Sequence, residues 1–172
     1  MLRPDPFGLG AMIDFQPYEI IAPNPNGSGR NILIVADHAS NHVPDDIDLR
    51  VAPEVMAQHV AIDIGVASVS RQLCQVLGCG AVLAGVSRLV IDFNREEDAP
   101  GLVPVSSDGI AIDGNADADV EARLAAFYRP YHEAVARTLE TLERPFILSL
   151  HSFTPMLASR PAERRPWEIG IL

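Results

Sequence analysis

The sequence predicts a three-layer α/β sandwich built on a mixed, mostly parallel sheet, and three observations carry that reading. Residues 31–36 (NILIVA) and 146–150 (FILSL) are short runs rich in Ile, Val and Leu that stop abruptly in polar residues. Runs of that length without alternation read as strands buried on both faces. Between them, residues 62–77 form an amphipathic helical pattern followed at once by a third apolar run at 80–85. Strand, helix, strand at this spacing is a βαβ unit, which pairs its strands in parallel.

Taken in order, residues 1–30 are rich in Pro, Gly and Asn and read as an irregular N-terminal segment, with a short edge strand at 18–21. The strand 31–36 ends in the polar turn DHASNHVPDD, and Pro53 with Glu54 then has the composition of a first helical turn. Ile62, Val66, Val69, Leu73, Val76 and Leu77 recur every three or four residues, which places one apolar stripe on the core, and Gly78 stops that helix. The run at 80–85 is the next strand, and SRLVIDFN within 87–94 is expected to be another. Residues 96–116 carry Pro, Gly, Ser and Asp without helical periodicity and read as a long loop of the functional kind. A second helix is expected over 117–142, capped by Asp117 or Asp119, with Val120, Leu124, Phe127, Tyr131, Val135 and Leu139 facing inward and Pro130 kinking it. The strand at 146–150 follows, then a polar stretch, then a final strand at 167–172 (WEIGIL).

At 172 residues the chain is sized for one domain, which removes roughly 70% of its unfolded surface on folding. That domain is expected to span 1–172. The sequence ends in an apolar run without a polar tail, which reads as a fold cut short, and its exposed edge is a route to homo-oligomers. A net charge of −10 argues against a nucleic-acid partner, and no apolar run approaches the ~18 residues that cross a bilayer. All 13 basic residues are Arg, which excludes a lysine nucleophile, Schiff base or P-loop lysine. Cys74 and Cys79 lack CxxC spacing and read as buried reduced thiols. The N-terminal residues lack the apolar core of an export signal, so a cytoplasmic location is expected.

The polar residues that could carry chemistry gather where strands should leave the sheet, the edge at which ligands bind in open α/β folds. They are Asp37, His38 and Asn41 after the first strand, Asp92, Asn94 and Arg95 after SRLVI, and His151 with Ser152 after FILSL, with Asp63 near the helix start. Two His and one carboxylate with an open fourth position make a catalytic zinc set. Each of these residues also has a plain structural reading. A His after a strand often caps or hydrogen-bonds, Asp63 can be a helix N-cap, and Asn41 can make a turn. His42 and His59 read as structural and His132 as a helix-face residue. Arg95 reads as a surface residue or as a fork for a substrate carboxylate. Serine chemistry from Ser40, Ser149 or Ser152 ranks lower, because no GxSxG elbow is present and adjacent strand residues point to opposite faces.

The ordered motifs DHASNHVP, HVAIDIGVASVSRQL, VSRLVIDFNRE, LSLHSFTP and RPWEIGIL resemble those of the N-formylglutamate amidohydrolase family over most of residues 31–172. That family is similar in fold to the zinc carboxypeptidases and aspartoacylases. The resemblance implies a metal-dependent hydrolase, carrying one divalent ion such as Zn²⁺, that acts on a small-molecule N-acyl amino acid. N-formyl-L-glutamate in histidine breakdown is the best-known case. Carried over by position, it implies His38, His151 and Asp63 as metal ligands, with Asp63 and Arg95 as catalytic residues. Asn41, in the place of the Glu of the relatives' HxxE motif, is the alternative third ligand. Asn94, Arg95, Arg88 and Ser152 are implied to bind substrate. Family members typically continue through an NEPY-like motif and a late EIR-type block that holds the plausible general base, so the resemblance also implies a truncated chain. The alternative reading is a non-catalytic remnant that binds a small acyl amino acid or is completed by a partner.

Overall fold

The computed structural model describes residues 16–171. The expected N-terminal segment therefore lies partly, at 1–15, outside the described residues. Four strands form the main sheet: β1 (Tyr18–Ile21), β2 (Ile32–Ala36), β3 (Gly80–Ala84) and β6 (Phe146–Ser149), in the order β1-β3-β2-β6. β2 pairs in parallel with both β3 and β6, while β1 pairs antiparallel with β3, so the sheet is mixed and mostly parallel. The carboxyl ends of β2, β3 and β6 thus share one edge of the sheet.

Side chains alternate along the central strands, and that alternation divides the core in two. Leu33, Val82 and Ala84 pack with Phe127, Tyr131 and Ala134 on one side, whereas Ile34, Ala36, Ala81 and Leu83 pack with Val66 and Cys74 on the other. The first side is covered by the chain segment that ends in α3 (Arg129–Glu140), the second by α1 (Val66–Leu77). This is the α/β sandwich that the apolar runs predict. Among the described residues, no helix is long and apolar enough to cross a membrane. Cys74 and Cys79 are buried free thiols with sulfurs 3.5 Å apart, and burial together with the neighbouring thiol pushes Cys74 up to about 12.

Several elements differ from expectation for identifiable reasons. α1 begins at Val66, not Ile62, because Gly65 takes a left-handed conformation at φ 86° and Ile64 and Gly65 are spent on a turn. The helix expected over 117–142 is a continuous helical stretch from Val120 to Glu140, made of α2 (Val120–Arg123), a π-turn at Leu124–Tyr128 and α3. Asp119 caps it, accepting from Ala122 N at 3.0 Å. Pro130 has no N–H to give, and the helix absorbs this by widening to a π-turn just before it, where Arg129 N reaches back five residues to Leu124 O.

Residues 87–94 are not a strand. Ser87 Oγ accepts from Leu89 N, and Ser87 O accepts from Val90 N, so the segment coils into turns although Leu89, Val90, Ile91 and Phe93 are all buried. The long loop contains a small hairpin, β4 (Ser106–Ser107) and β5 (Ile110–Ala111), turning through Asp108 and Gly109 at φ 45° and 83°. Both positive angles suit the Asp-Gly turn that matches strand twist. Residues 167–171 form no strand and are exposed.

Leu33 lies on the central strand with no solvent exposure, and Val76 lies on α1 with 74% exposure. Leu33→Ala is expected to lower the unfolding free energy by about 2–5 kcal/mol and Val76→Ala by less than about 0.5 kcal/mol, as read from urea unfolding.

Candidate metal centre

Three chain segments bring the polar residues together at the carboxyl edge of the sheet. β2 ends at Ala36, and Asp37 and His38 follow directly. The backbone carbonyl of His38 accepts from Asp63 N at 3.0 Å, which stitches the turn before α1 to the strand end. Asp63 O then accepts from Val66 N at 3.1 Å. The backbone of Asp63 closes the turn, and no side chain caps α1, so its carboxylate faces the histidines instead. β6 ends at Ser149, and His151 follows two residues later beside β2.

The carboxylate of Asp63 sits between the two imidazoles. Its Oδ2 accepts from His151 Nδ1 at 3.0 Å and from Ser152 N at 3.2 Å, and lies 3.5 Å from His38 Nδ1. One ligand atom from each of His38, Asp63 and His151 falls within 4.8 Å of the others. Behind His38, Nε2 donates to Asp92 Oδ1 at 2.7 Å. Asp92 in turn accepts from Asn94 N at 3.1 Å and from Arg88 at 3.0 Å, with Arg95 Nε at 3.6 Å. Behind His151, Nε2 faces Asp37 Oδ2 at 3.7 Å and Ser149 Oγ at 3.2 Å. Asp37 Oδ1 accepts from the buried Tyr131 hydroxyl at 2.7 Å.

Burial resists charge on His38, Asp63 and Asp92, yet the pairing overrides it. Burial would lower the His38 imidazole, but the Asp63 and Asp92 carboxylates raise it. Burial would raise Asp63, but the two histidines hold it well below the usual carboxylate range. Asp92, likewise opposed by burial, is held down to about 2 by His38, Arg88 and the Asn94 amide. Tyr131, buried and facing Asp37, is pushed far above the usual phenol value and stays a donor.

His38 Nδ1 is buried and makes no hydrogen bond, its facing oxygen, Asp63 Oδ2, standing 3.5 Å away. A buried lone pair aimed at a carboxylate and a second imidazole fits a divalent cation, and imidazole with carboxylate is a donor set for zinc. The Asp92–His38 contact is the kind of outer carboxylate that orients a metal-binding imidazole.

The other residues singled out from the sequence are distributed around this group. Asn41 is exposed and donates to Met56 O at 2.8 Å, so its amide is spent outside the cluster. Asn94 is exposed, and its backbone N–H serves Asp92. Ser152 contributes its backbone N–H to Asp63. Arg88 and Arg95 reach over Asp92 and line, with Leu89, Ser106 and Ser107, a cleft of about 190 Å³. His59 donates to Asp108, which also accepts from Ala158 N and Ser159 N, and His132 contacts Phe93 O. Ser149 and His151 are two residues apart, and their side chains meet at 3.2 Å, so strand alternation does not separate them. The sequence places Asp37 and Asp92 among the strand-end polar residues and Tyr131 on the inward stripe of its helix, without marking any of them as a partner of the histidines. A carboxylate at each strand end was the available signal; the phenol, 94 residues from its partner, offered none.

The family profile described as N-formylglutamate amidohydrolase matches residues 30–172. Among solved structures, the gene product Atu2144 of Agrobacterium tumefaciens is similar at 30% identity and a TM-score of 0.75, over 81% of this chain and 57% of that one. The N-formylglutamate amidohydrolase of Ralstonia eutropha JMP134 is similar in fold at 24% identity and a TM-score of 0.57, over 80% of this chain and 57% of that one. The chain therefore spans a little over half the length of either structure. No curated protein matches.

Asp92 is depressed on folding, so its contribution to stability is present above about pH 4 and is lost as pH falls toward 2. His38 is raised, so its contribution is complete below about pH 6.5 and is lost as pH climbs through the folded value. In the metal-free protein, the stability of wild type over Asp92→Asn, followed by urea unfolding across pH, is expected to peak between about pH 4 and 6.5. A difference that stays flat from pH 3 to 8 would rule out the pairing.

Proposed function

The chain belongs to the N-formylglutamate amidohydrolase family, and from that premise we propose that it hydrolyses the amide of an N-acyl amino acid such as N-formyl-L-glutamate with the help of one zinc ion. The observation that carries the proposal is the convergence of His38, Asp63 and His151, with the orphaned Nδ1 of His38 among them. His38, Asp63 and His151 would hold the ion, which supplies a Lewis acid for the acyl carbonyl and activates water near neutral pH.

The remaining residues bind and orient. Asp92 keeps the His38 proton on Nε2, so Nδ1 keeps its lone pair. Arg95 presents a planar fork at the cleft, suited to two parallel hydrogen bonds with a substrate carboxylate, and Arg88 lines the same cleft, with Asn94 next to Arg95 in the chain. Ser152, adjacent to His151, fixes Asp63 through its backbone and leaves its side chain available to substrate. Tyr128 OH donates to Arg95 O at 2.6 Å, which anchors the backbone beneath that fork.

The test is formate release from N-formyl-L-glutamate by the full chain with and without added zinc, beside zinc content by mass spectrometry. His38→Ala is expected to lose the ion and to lower kcat/KM by at least about 100-fold, since catalysis of this kind depends on the ion. Absence of zinc from wild type together with unchanged turnover in His38→Ala would sink the metal mechanism. Binding of N-formyl-L-glutamate by calorimetry without any formate release would favour the non-catalytic alternative. Arg95→Ala is expected to reduce kcat/KM by about 10- to 100-fold, the loss of a charged hydrogen-bond pair, with most of the change in KM.

A further inference from the structure

Resting on the metal reading above, we propose that Asp37, held in place by Tyr131, is the positioning carboxylate that receives the Nε2 proton of His151 and so frees its Nδ1 for the ion. The two histidines stand in different conditions. His38 already donates Nε2–H to Asp92 and shows a bare Nδ1, so it is set for a cation. His151 donates Nδ1–H to Asp63 at 3.0 Å, which blocks the nitrogen nearest the cluster. For Nδ1 to bind a cation, the neutral ring has to carry its proton on Nε2, and that proton needs an acceptor.

Two groups face Nε2. Ser149 Oγ at 3.2 Å is a hydroxyl on an exposed strand and can turn to donate or accept. Asp37 Oδ2 at 3.7 Å is a buried carboxylate that can only accept. Its other oxygen is occupied by Tyr131, which has no solvent exposure and projects from α3, a helix that otherwise gives the cluster nothing. A buried carboxylate with one phenol donor retains unfilled acceptor capacity, and that capacity is directed at His151. A shortening of a few tenths of an ångström brings it to hydrogen-bond distance. The result would be an arrangement around His151 that parallels Asp92 around His38.

The experiment measures zinc dissociation constants of the full chain by competition with a chromogenic chelator. Asp37→Asn, which keeps the shape and weakens the acceptor, is expected to bind zinc about 10- to 100-fold more weakly. Tyr131→Phe should weaken it in the same direction by less, and Ser149→Ala should change it by under about threefold. A second reading uses the ring ¹⁵N–¹H resonances of His151 in the zinc-loaded protein. The Nε2–H proton is expected well downfield in wild type and to move upfield in Asp37→Asn, which a merely structural role of Asp37 would not cause. Unchanged zinc affinity and an unmoved proton in Asp37→Asn overturn the proposal. If His38→Ala still weakens zinc binding, the metal reading stands without it; if it does not, both fail.

Discussion

One carboxylate, that of Asp63, is approached at 3.0 Å by His151, at 3.2 Å by the Ser152 amide and at 3.5 Å by His38, while Arg88 stands 3.6 Å from its other oxygen. These groups come from the end of β2, the turn before α1, the turn after β3 and the end of β6. The carboxylate therefore ties together four segments that the sheet alone brings only to a common edge. Removing it would leave His38 and Arg88 to share Asp92 and His151 to face Asp37 alone, with no group joining the two halves of the cluster. Exposed pairs such as Arg137–Glu133 and Arg160–Glu163, at similar distances, lie in water and contribute about 0–1 kcal/mol each.

The sandwich explains why the polar cluster can exist at all. Strand alternation sends Leu33, Val82 and Ala84 to one apolar cluster and Ile34, Ala36, Ala81 and Leu83 to the other, so both faces of the central strands are closed to polar groups. Asp37 and His38 follow immediately at the carboxyl end, where the backbone leaves the sheet and the two apolar layers part. There Tyr131 reaches in from the α3 side and Asp63 from the α1 side, each layer contributing one polar side chain to the same edge.

Much of this fold could be read from residues in isolation. β2, β3, β6 and α1 announce themselves because buried parallel strands and amphipathic helices have distinct apolar periods, and Gly78 and Asp119 mark helix ends by chemistry that needs no tertiary context. Residues 87–94 carry the pattern of a strand because Leu89, Val90, Ile91 and Phe93 are buried in a coiled segment, and burial selects the same side chains there as in a strand. The hydroxyl of Ser87, turned back onto Leu89 N and donating to Ala61 O, decides between the two, and its partner lies 26 residues away. The hairpin at 106–111 carried a readable Asp-Gly signal that its short, polar strands obscured. In the site, strand-end position pointed to His38 and His151 as a pair, but the carboxylates behind them were a different matter. Asp92 and His38 are 54 residues apart, and Tyr131 and Asp37 are 94 apart. Such pairs are set by how the layers stack, which no local pattern encodes.

Asp37, Asp63 and Asp92 are buried around two imidazoles, with Arg88 and Arg95 reaching in from the cleft, so the cluster holds more anion than its fixed cations neutralise. In the metal-free protein part of that excess is met by a proton on His38, whose affinity for it is raised by the same two carboxylates. A divalent ion held at this site would compete with that proton for one environment. The proton neutralises a single charge and engages one ring, whereas a dication would satisfy Asp63 and both Nδ1 atoms at once. Acid favours the first occupant and neutral pH the second, because ligand imidazoles bind metal only when neutral. Of the two carboxylates that raise the proton affinity of His38, Asp63 is thus also the one that a cation at this site would face.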